Sequence, residues 1–212
     1  MYQQADDWIG IQWTDIILGS IRRIDSSTHK ISTLAVGCDP PFEKLAASDC
    51  IESIGKIRVA RSGKLLISEY VPDDRVRSFD PTTRQFSLIA DNGGPGIAEE
   101  PNGNILITSS GGYVRRVDVK TGIISTVAGT VTLGRSGDGG PALAAQFEHP
   151  TNLAVDRSGN IYIEDNTTSR IRRVDAATGL IETVVGQGNE RFSGEGGPAK
   201  SAHIGIVNDL GL

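Results

Sequence analysis

Three histidines (His29, His149 and His203), two cysteines (Cys38 and Cys50) and 26 acidic side chains are the groups available for hydrolytic or metal chemistry in this 212-residue chain. Their spacing does not favour it. A histidine-held zinc needs several imidazoles converging on one point. His29 instead falls in an outer turn, while His149 and His203 fall in connecting segments and in different registers. The chain has no Gly-x-Ser-x-Gly elbow and no Cys–His pair of the kind that activates a thiolate. Cys38 and Cys50 bracket a short loop containing Asp39-Pro40-Pro41, and no further cysteine or nearby histidine completes a four-ligand set. They are a disulfide in an oxidising compartment or two thiols in a reducing one. No catalytic residue, metal ligand or cofactor motif emerges.

The other charged residues recur rather than cluster. Arginine pairs stand at Arg22-Arg23, Arg115-Arg116 and Arg172-Arg173, with an aspartate two residues on at Asp25, Asp118 and Asp175; Asp80 holds the same place in a fourth copy. A ring of arginines suits phosphate or RNA, but the chain carries a net charge of −5 and a pI near 5.2, opposite to a general nucleic-acid binder. The arginines are therefore expected to cover apolar surface with their stems. The aspartates are expected to accept backbone N–H groups of the turns that follow. Repetition in every copy argues for scaffold, because a catalytic site breaks symmetry. Two glycine-rich segments, Ser136-Gly137-Asp138-Gly139-Gly140-Pro141-Ala142 and Ser193-Gly194-Glu195-Gly196-Gly197-Pro198-Ala199, lack the Lys-Ser/Thr ending of a phosphate loop. They suggest compact turns, the first leading into a short helix over Ala142–Phe147. Asp138 and Glu195 are the acids a weak calcium site there would use.

The elements that must position these groups are strands. Ser158-Gly159-Asn160-Ile161-Tyr162-Ile163, followed by Arg170-Ile171-Arg172-Arg173-Val174-Asp175, is the clearest copy of a repeated sentence. Weaker copies begin at Asn102 and Ser62, and a fourth opens at Asp15-Ile16-Ile17-Leu18. Each resolves into four short strands with polar turns, and Gly179 is placed for the left-handed position of a bulged hairpin. A repeat of about 40–55 residues made of short strands predicts an all-β fold, a β-propeller of four-stranded antiparallel blades. One such sheet cannot bury both faces alone, so it needs neighbours. The spacing predicts a single domain over 1–212, with blades near 9–37, 51–92, 95–129 and 150–186 and one strand of a fifth within 204–212. No stretch approaches the roughly 18 apolar residues of a membrane span. Met1–Asp7 has neither the basic start nor the apolar run of a secretory signal. The expectation is an intracellular protein, or a mature or excised piece of something longer.

Gly159-Asn160-Ile161-Tyr162-Ile163, the Arg170–Asp175 strand and the two glycine-rich connectors resemble NHL-repeat propellers of the bacterial and teneurin-like kind. The resemblance is strongest over 130–212 and weakest before residue 37. It implies a propeller, most often six-bladed in that family. Asn208–Leu212 aligns with Thr151–Val155, the innermost strand of a blade. The chain is then a piece of a longer propeller, or its last strand completes the N-terminal blade. Trp8–Trp13 has the pattern of an inner strand, which favours the first. Exposed blade faces predict poor solubility or self-association for the isolated chain.

In a propeller the loops between second and third strands share one face with the connectors, and binding residues collect there. In this chain they carry Glu69, Asp73 and Asp74 in one blade and Glu164, Asp165 and Asn166 in another. Asp165, Asn166 and Arg170 match the family's usual loop, where the resemblance implies that they tie strands together. Lys56, Gly96, Asn152 and Asp209 align at the channel rim. The candidate ligand set is therefore Glu69, Asp73, Asp74, Asn152, Glu164, Asp165, Asn166 and Asp209. The leading expectation is a non-enzymatic scaffold that binds a protein or glycan partner, with no cofactor, no nucleic acid and no membrane span. The alternative is a lactonase-like hydrolase or lyase, for which one acid, one amide and one lysine at the rim are a poor match.

Overall fold

The computed structural model describes residues 8–14, 18–36, 51, 53–70, 74–188, 192–205 and 207–211. Among them lie four antiparallel sheets. The first blade contains β1 (Trp8–Thr14), β2 (Leu18–Ile24) and β3 (Ile31–Val36). The second contains β4 (Ile54–Val59), β5 (Leu65–Glu69), β6 (Arg75–Asp80) and β7 (Gln85–Ala90). The third contains β8 (Ile97–Glu99), β9 (Ile105–Ser109), β10 (Tyr113–Val117) and β11 (Ile124–Ala128). The fourth contains β12 (Pro150–Val155), β13 (Ile161–Asp165), β14 (Arg170–Val174) and β15 (Ile181–Val185). Strands pair in chain order within every blade. Among the described residues, no helix is long and apolar enough to cross a membrane.

Burial follows from stacking. The second strands Leu65–Glu69 and Ile105–Ser109 are buried at every residue, because a neighbouring sheet covers each face. Ile67 and Phe79 join Ile21 and Ile51 between the first two blades. Val76, Ile97 and Ile107 fill the next interface, and Leu106, Leu153, Ile163 and Ile181 fill the last. Each such side chain contributes about 1.5–3 kcal/mol on burial. In all four blades a β-bulge interrupts the third-to-fourth-strand ladder, immediately before Arg22, Arg77, Arg115 or Arg172. A bulge sharpens local twist, so all four sheets carry the same kink in the same place.

That kink fixes the identity of the strands in the first blade. β2 carries it and is therefore a third strand, which puts β1 in the second-strand place. Trp8–Trp13 is thus not the inner strand its pattern suggested. Alternating apolar residues suit either place, and only the hydrogen-bonded neighbour tells them apart. Asp15–Ile17, where the fourth copy was expected to open, lie outside the described residues. At the other end, Val207–Gly211 belong to no sheet. The strand expected there pairs with no other strand among the described residues.

Outer turns are held as expected. Asp175 Oδ1 accepts the N–H groups of Ala177 and Thr178, at 3.1 and 2.9 Å. Asp25, Asp80 and Asp118 do the same for their own turns. Hydrogen bonds from the side chains of Ser27 and Thr178 lead in holding the Asp25 and Asp175 carboxyls below the usual carboxylate range. The N–H groups of Thr82 and Thr121 lead for Asp80 and Asp118. The turn closes with Gly179 at φ +68, and His29 and Arg84 take the same left-handed place.

Blades two and three are joined by a short link, which leaves a groove of about 540 Å³ lined by Leu66, Leu88, Ile105, Val117 and Val119. Blades three and four are joined by the first glycine-rich connector, which lies in the corresponding groove. Its helix is one 3-10 turn, Ala142–Ala144, rather than the longer helix expected. The chain leaves it extended at Ala145 and buries Ala145 and Phe147 completely.

Candidate binding site on the inner side of the blades

The inner strands β4, β8 and β12 lie side by side along the axis side of the sheets. The first strand of blades two and four is irregular near its start, at Gly55 and Thr151, and this aims the next residue along the axis. Those next residues are Lys56 and Asn152. Ser68, Thr108 and Glu164 stand opposite in the second strands: the first two accept the N–H groups of Lys56 and Gly96, at 2.9 Å each. Glu164 holds the same position but accepts side-chain donors instead.

A polar chain results. Arg58 Nη2 and Lys56 Nζ both donate to Asp209 Oδ1, the latter at 2.9 Å. Lys56 Nζ also donates to Asn152 Oδ1, and Asn152 Nδ2 donates to Glu164 Oε2 and to the Val207 carbonyl. Thr151 Oγ1 adds a bond to Glu164 Oε2 at 2.7 Å, and Asn166 Nδ2 approaches Oε1 at 3.5 Å. Glu164 is 1% exposed and Asn152 is buried, whereas the Asp209 side chain is 54% exposed. Partial burial raises the Asp209 pKa, but the hydrogen bonds and charges of Arg58 and Lys56 outweigh it and hold the carboxyl below the usual range. The array therefore presents one ionised carboxylate and the partly exposed Arg58 to solvent, backed by Lys56, the buried Asn152 amide and a buried acid.

The structure brings together Asn152, Glu164, Asn166 and Asp209 from the sequence-derived set, joined by Lys56. The others lie elsewhere. Glu69 is fully buried in blade two, where Arg75 Nε donates to it at 2.7 Å and Arg77 Nη2 also donates. Asp165 is fully buried and accepts the N–H groups of Glu148 and His149, which ties the incoming connector to β13. Asp74 lies in the loop before β6, and its carbonyl accepts the Gly93 N–H. Asp73, Cys38 and Cys50 lie outside the described residues. Arg58 and Thr151 were missed. Arg58 has the signal of an i, i+2 partner on the same strand face as Lys56. Among the described residues, no three His, Cys, Asp or Glu side chains gather as a metal would require.

The most deeply engaged arginine lies away from this array. Arg172, 1% exposed, donates to Asp138 from Nε and Nη2 at 3.1 and 2.7 Å, and to the carbonyls of Gln146 and Ser136. Its guanidinium also lies 5.1 Å from the centre of the Phe147 ring. Arg116 forms a two-point bridge to Glu100, 2.6 Å on each arm. These contacts give Arg116 and Arg172 a scaffold role and engage Asp138 with Arg172.

Comparison with known proteins accords with this geometry. Residues 131–207 match the Teneurin NHL domain. Protein SUPPRESSOR OF QUENCHING 1, chloroplastic, of Arabidopsis thaliana is 24% identical over 172 residues, covering 73% of this chain and 16% of that protein. A solved protein of unknown function from Bacteroides thetaiotaomicron superposes with a TM-score of 0.69 at 19% identity, covering 95% of this chain and 49% of that one. An auxiliary nutrient binding protein from Bacteroides ovatus gives 0.53 at 16% identity, covering 80% and 37%. Other similar solved structures include a hydrolase and a lyase. The chain thus spans about a sixth of its curated relative and half of the first solved one. Repeated bulge, connector and sheet order together identify the sheets as blades of a β-propeller, and the likeness to an NHL domain lies in residues 131–207.

Proposed function

We propose that this chain is a non-enzymatic propeller scaffold that binds a protein or glycan partner through the end bearing the second-to-third-strand loops and the inner-strand starts. The observation that carries this reading is the polar chain Arg58–Asp209–Lys56–Asn152–Glu164, in which donors and acceptors from blades two and four meet beside solvent. A few convergent polar groups on a rigid support suit recognition of hydroxyls, amides and carboxylates. The fold accommodates binding proteins and enzymes alike. What favours binding is that the buried acid, Glu164, already accepts from Thr151 and Asn152 instead of standing open as a general base. The likeness to a nutrient binding protein is consistent with this.

The test is calorimetric titration with a panel of oligosaccharides and acidic or basic peptides, using the intact chain and the variants Asp209→Ala and Arg58→Ala. Both side chains are partly exposed, so the fold should survive. At least one ligand class should bind the parent and lose about tenfold or more in affinity in each variant. Binding indifferent to both changes, or ligand turnover abolished by Glu164→Gln, would overturn the reading; turnover would establish the hydrolase or lyase instead.

A further inference from the structure

The grooves between blades two and three and between blades three and four are built alike and filled differently. Ile105, Val117 and Gly122 line the first as Ile161, Val174 and Gly179 line the second. The second groove also contains Pro141, Ala142 and Leu143 of the chain's own connector. There the connector runs antiparallel to β15, bridging Pro141 to Leu180. Gly139 N donates to the Ile181 carbonyl at 2.7 Å, Ile181 N to the Gly140 carbonyl at 3.0 Å and Ala142 N to the Gly179 carbonyl at 2.9 Å. Gly129 N, at the end of blade three, donates to the Ala142 carbonyl at 3.0 Å. Asp138 meets Arg172, and Ala142 and Ile181 are buried.

The groups that receive the connector recur one blade earlier with nothing upon them. β11 is the edge strand of its sheet, and Ile124 stands opposite Val117 as Ile181 stands opposite Val174. Its N–H and carbonyl therefore face away from β10, as those of Ile181 face away from β14. Among the described residues, no turn, loop or connector bonds these two groups, the Gly122 carbonyl, or the N–H of Asp91, which holds the place of Gly129. Ile124 is 40% exposed where Ile181 is 1%, and Leu88 and Val119 stand open along the same groove. Arg115 follows the bulge as Arg172 does, but its guanidinium only lies 5.7 Å from the centre of the Tyr113 ring and enters no ion pair. The acids nearby are engaged, Asp118 by its own turn and Glu99 by the Arg61 N–H. All walls of this groove lie between residues 60 and 122, well inside the chain, and the link over residues 91–96 contributes none of them.

We infer that the groove between blades two and three binds an extended acidic segment of a partner protein, one with an acidic residue three positions before a proline. The segment adds a strand along β11, because an unpaired edge is a template for one. The register of the connector carries over. The residue after the acid donates its N–H to the Ile124 carbonyl, and the Ile124 N–H donates to the carbonyl of the next residue. The residue after the proline donates to the Gly122 carbonyl and accepts from the Asp91 N–H, its side chain resting on Ile105 and Val117. The acid reaches Arg115. Charge complementarity selects an acidic segment: Arg115 is the cation left without an anion, and both connectors of this chain place an acid, Asp138 or Glu195, at that position. A carboxylate on a guanidinium also fixes register, since the pair is directional. This site lies at the opposite end of the strands from the Lys56–Asn152 array and is independent of it.

A synthetic peptide with the sequence of residues 136–147, titrated into the intact chain by fluorescence polarisation, tests this. It should bind saturably below about 1 mM, and a scrambled peptide should not. Ile124→Pro removes an outward N–H without taking a ladder bond, and Leu88→Glu puts a charge on an exposed wall. Each should weaken binding about tenfold or more with the β-sheet circular dichroism retained. A peptide carrying Asp138→Arg should lose about tenfold against the parent and recover against Arg115→Glu. Four results would overturn the inference: no binding below that concentration; equal binding of the scrambled peptide; binding untouched by Ile124→Pro and Leu88→Glu, as for a peptide that displaces the connector from blade four; and a charge exchange that changes nothing.

Discussion

Residues 136–147 and 193–204 start from nearly the same sentence and end in different surroundings. Both place a glycine of positive φ, Gly137 and Gly194, where a side chain would strike the Cα of Ala145 or Ala202 at 2.7 or 2.9 Å. Both follow proline with a single 3-10 turn. Their internal shape is therefore local. Their burial is not: the first is covered by blade four and places Phe147 in its core, while in the second Ala199 lies open. Local sequence sets the form of a connector, and the next blade supplies its stability.

Substitutions that separate the two terms test this comparison. The largest contrast is expected for Phe147→Ala, which should cost about 3–5 kcal/mol by leaving a core cavity. Ile204→Ala at the matching, half-buried place should cost less than about 1 kcal/mol for the single chain. Equal losses in urea or thermal unfolding would mean that the second connector is packed more like the first than its exposure indicates.

Arg172→Ala should come next, at about 3 kcal/mol, because it removes the buried guanidinium that bridges Asp138 to the carbonyls of Ser136 and Gln146. Glu195→Ala, in the exposed connector, should stay within about 0.5 kcal/mol. A small effect of Arg172→Ala would show that burial of Ala145 and Phe147 holds the first connector unaided.

The smallest effect concerns pH. Burial raises the Asp138 pKa, but hydrogen bonds from Thr183 and Arg172 and the charge of Arg172 outweigh it, so the folded carboxyl sits below its ordinary value. A depressed folded pKa stabilises above the unfolded value, and that stability is lost as pH falls through the folded one. The stability of the parent relative to Asp138→Asn should therefore be greatest above about pH 4 and narrow below it. A difference independent of pH would mean that the Asp138–Arg172 contact works through shape rather than charge.

The fold was legible in blades two to four because copies of one sentence must make copies of one sheet, and the Asp25, Asp80, Asp118 and Asp175 turns followed from side-chain chemistry alone. Blade one was misread because alternating apolar residues serve an inner strand as well as a second one. The rim alignment placed Lys56, Asn152 and Asp209 in equivalent registers, and the structure brings these three into contact. It could not separate Glu69 and Asp165, spent inside the scaffold, from Glu164, since all three are acids at the ends of second strands. Nor could it pair Arg172 with Asp138, which lie 34 residues apart and meet only once the connector folds back.

The groove left by the short link between blades two and three has a mechanical consequence. Blades three and four are stapled at their outer rim by a connector, whereas blades two and three are held by the packing of Val76, Ala90, Ile97, Ile107 and Val117 with no connector in the groove outside it. Lys56 stands on one side of that seam and Asn152 on the other. A wedge pressed into the outer cleft would load this seam alone, and the Lys56–Asn152 hydrogen bond crosses it at the axis end.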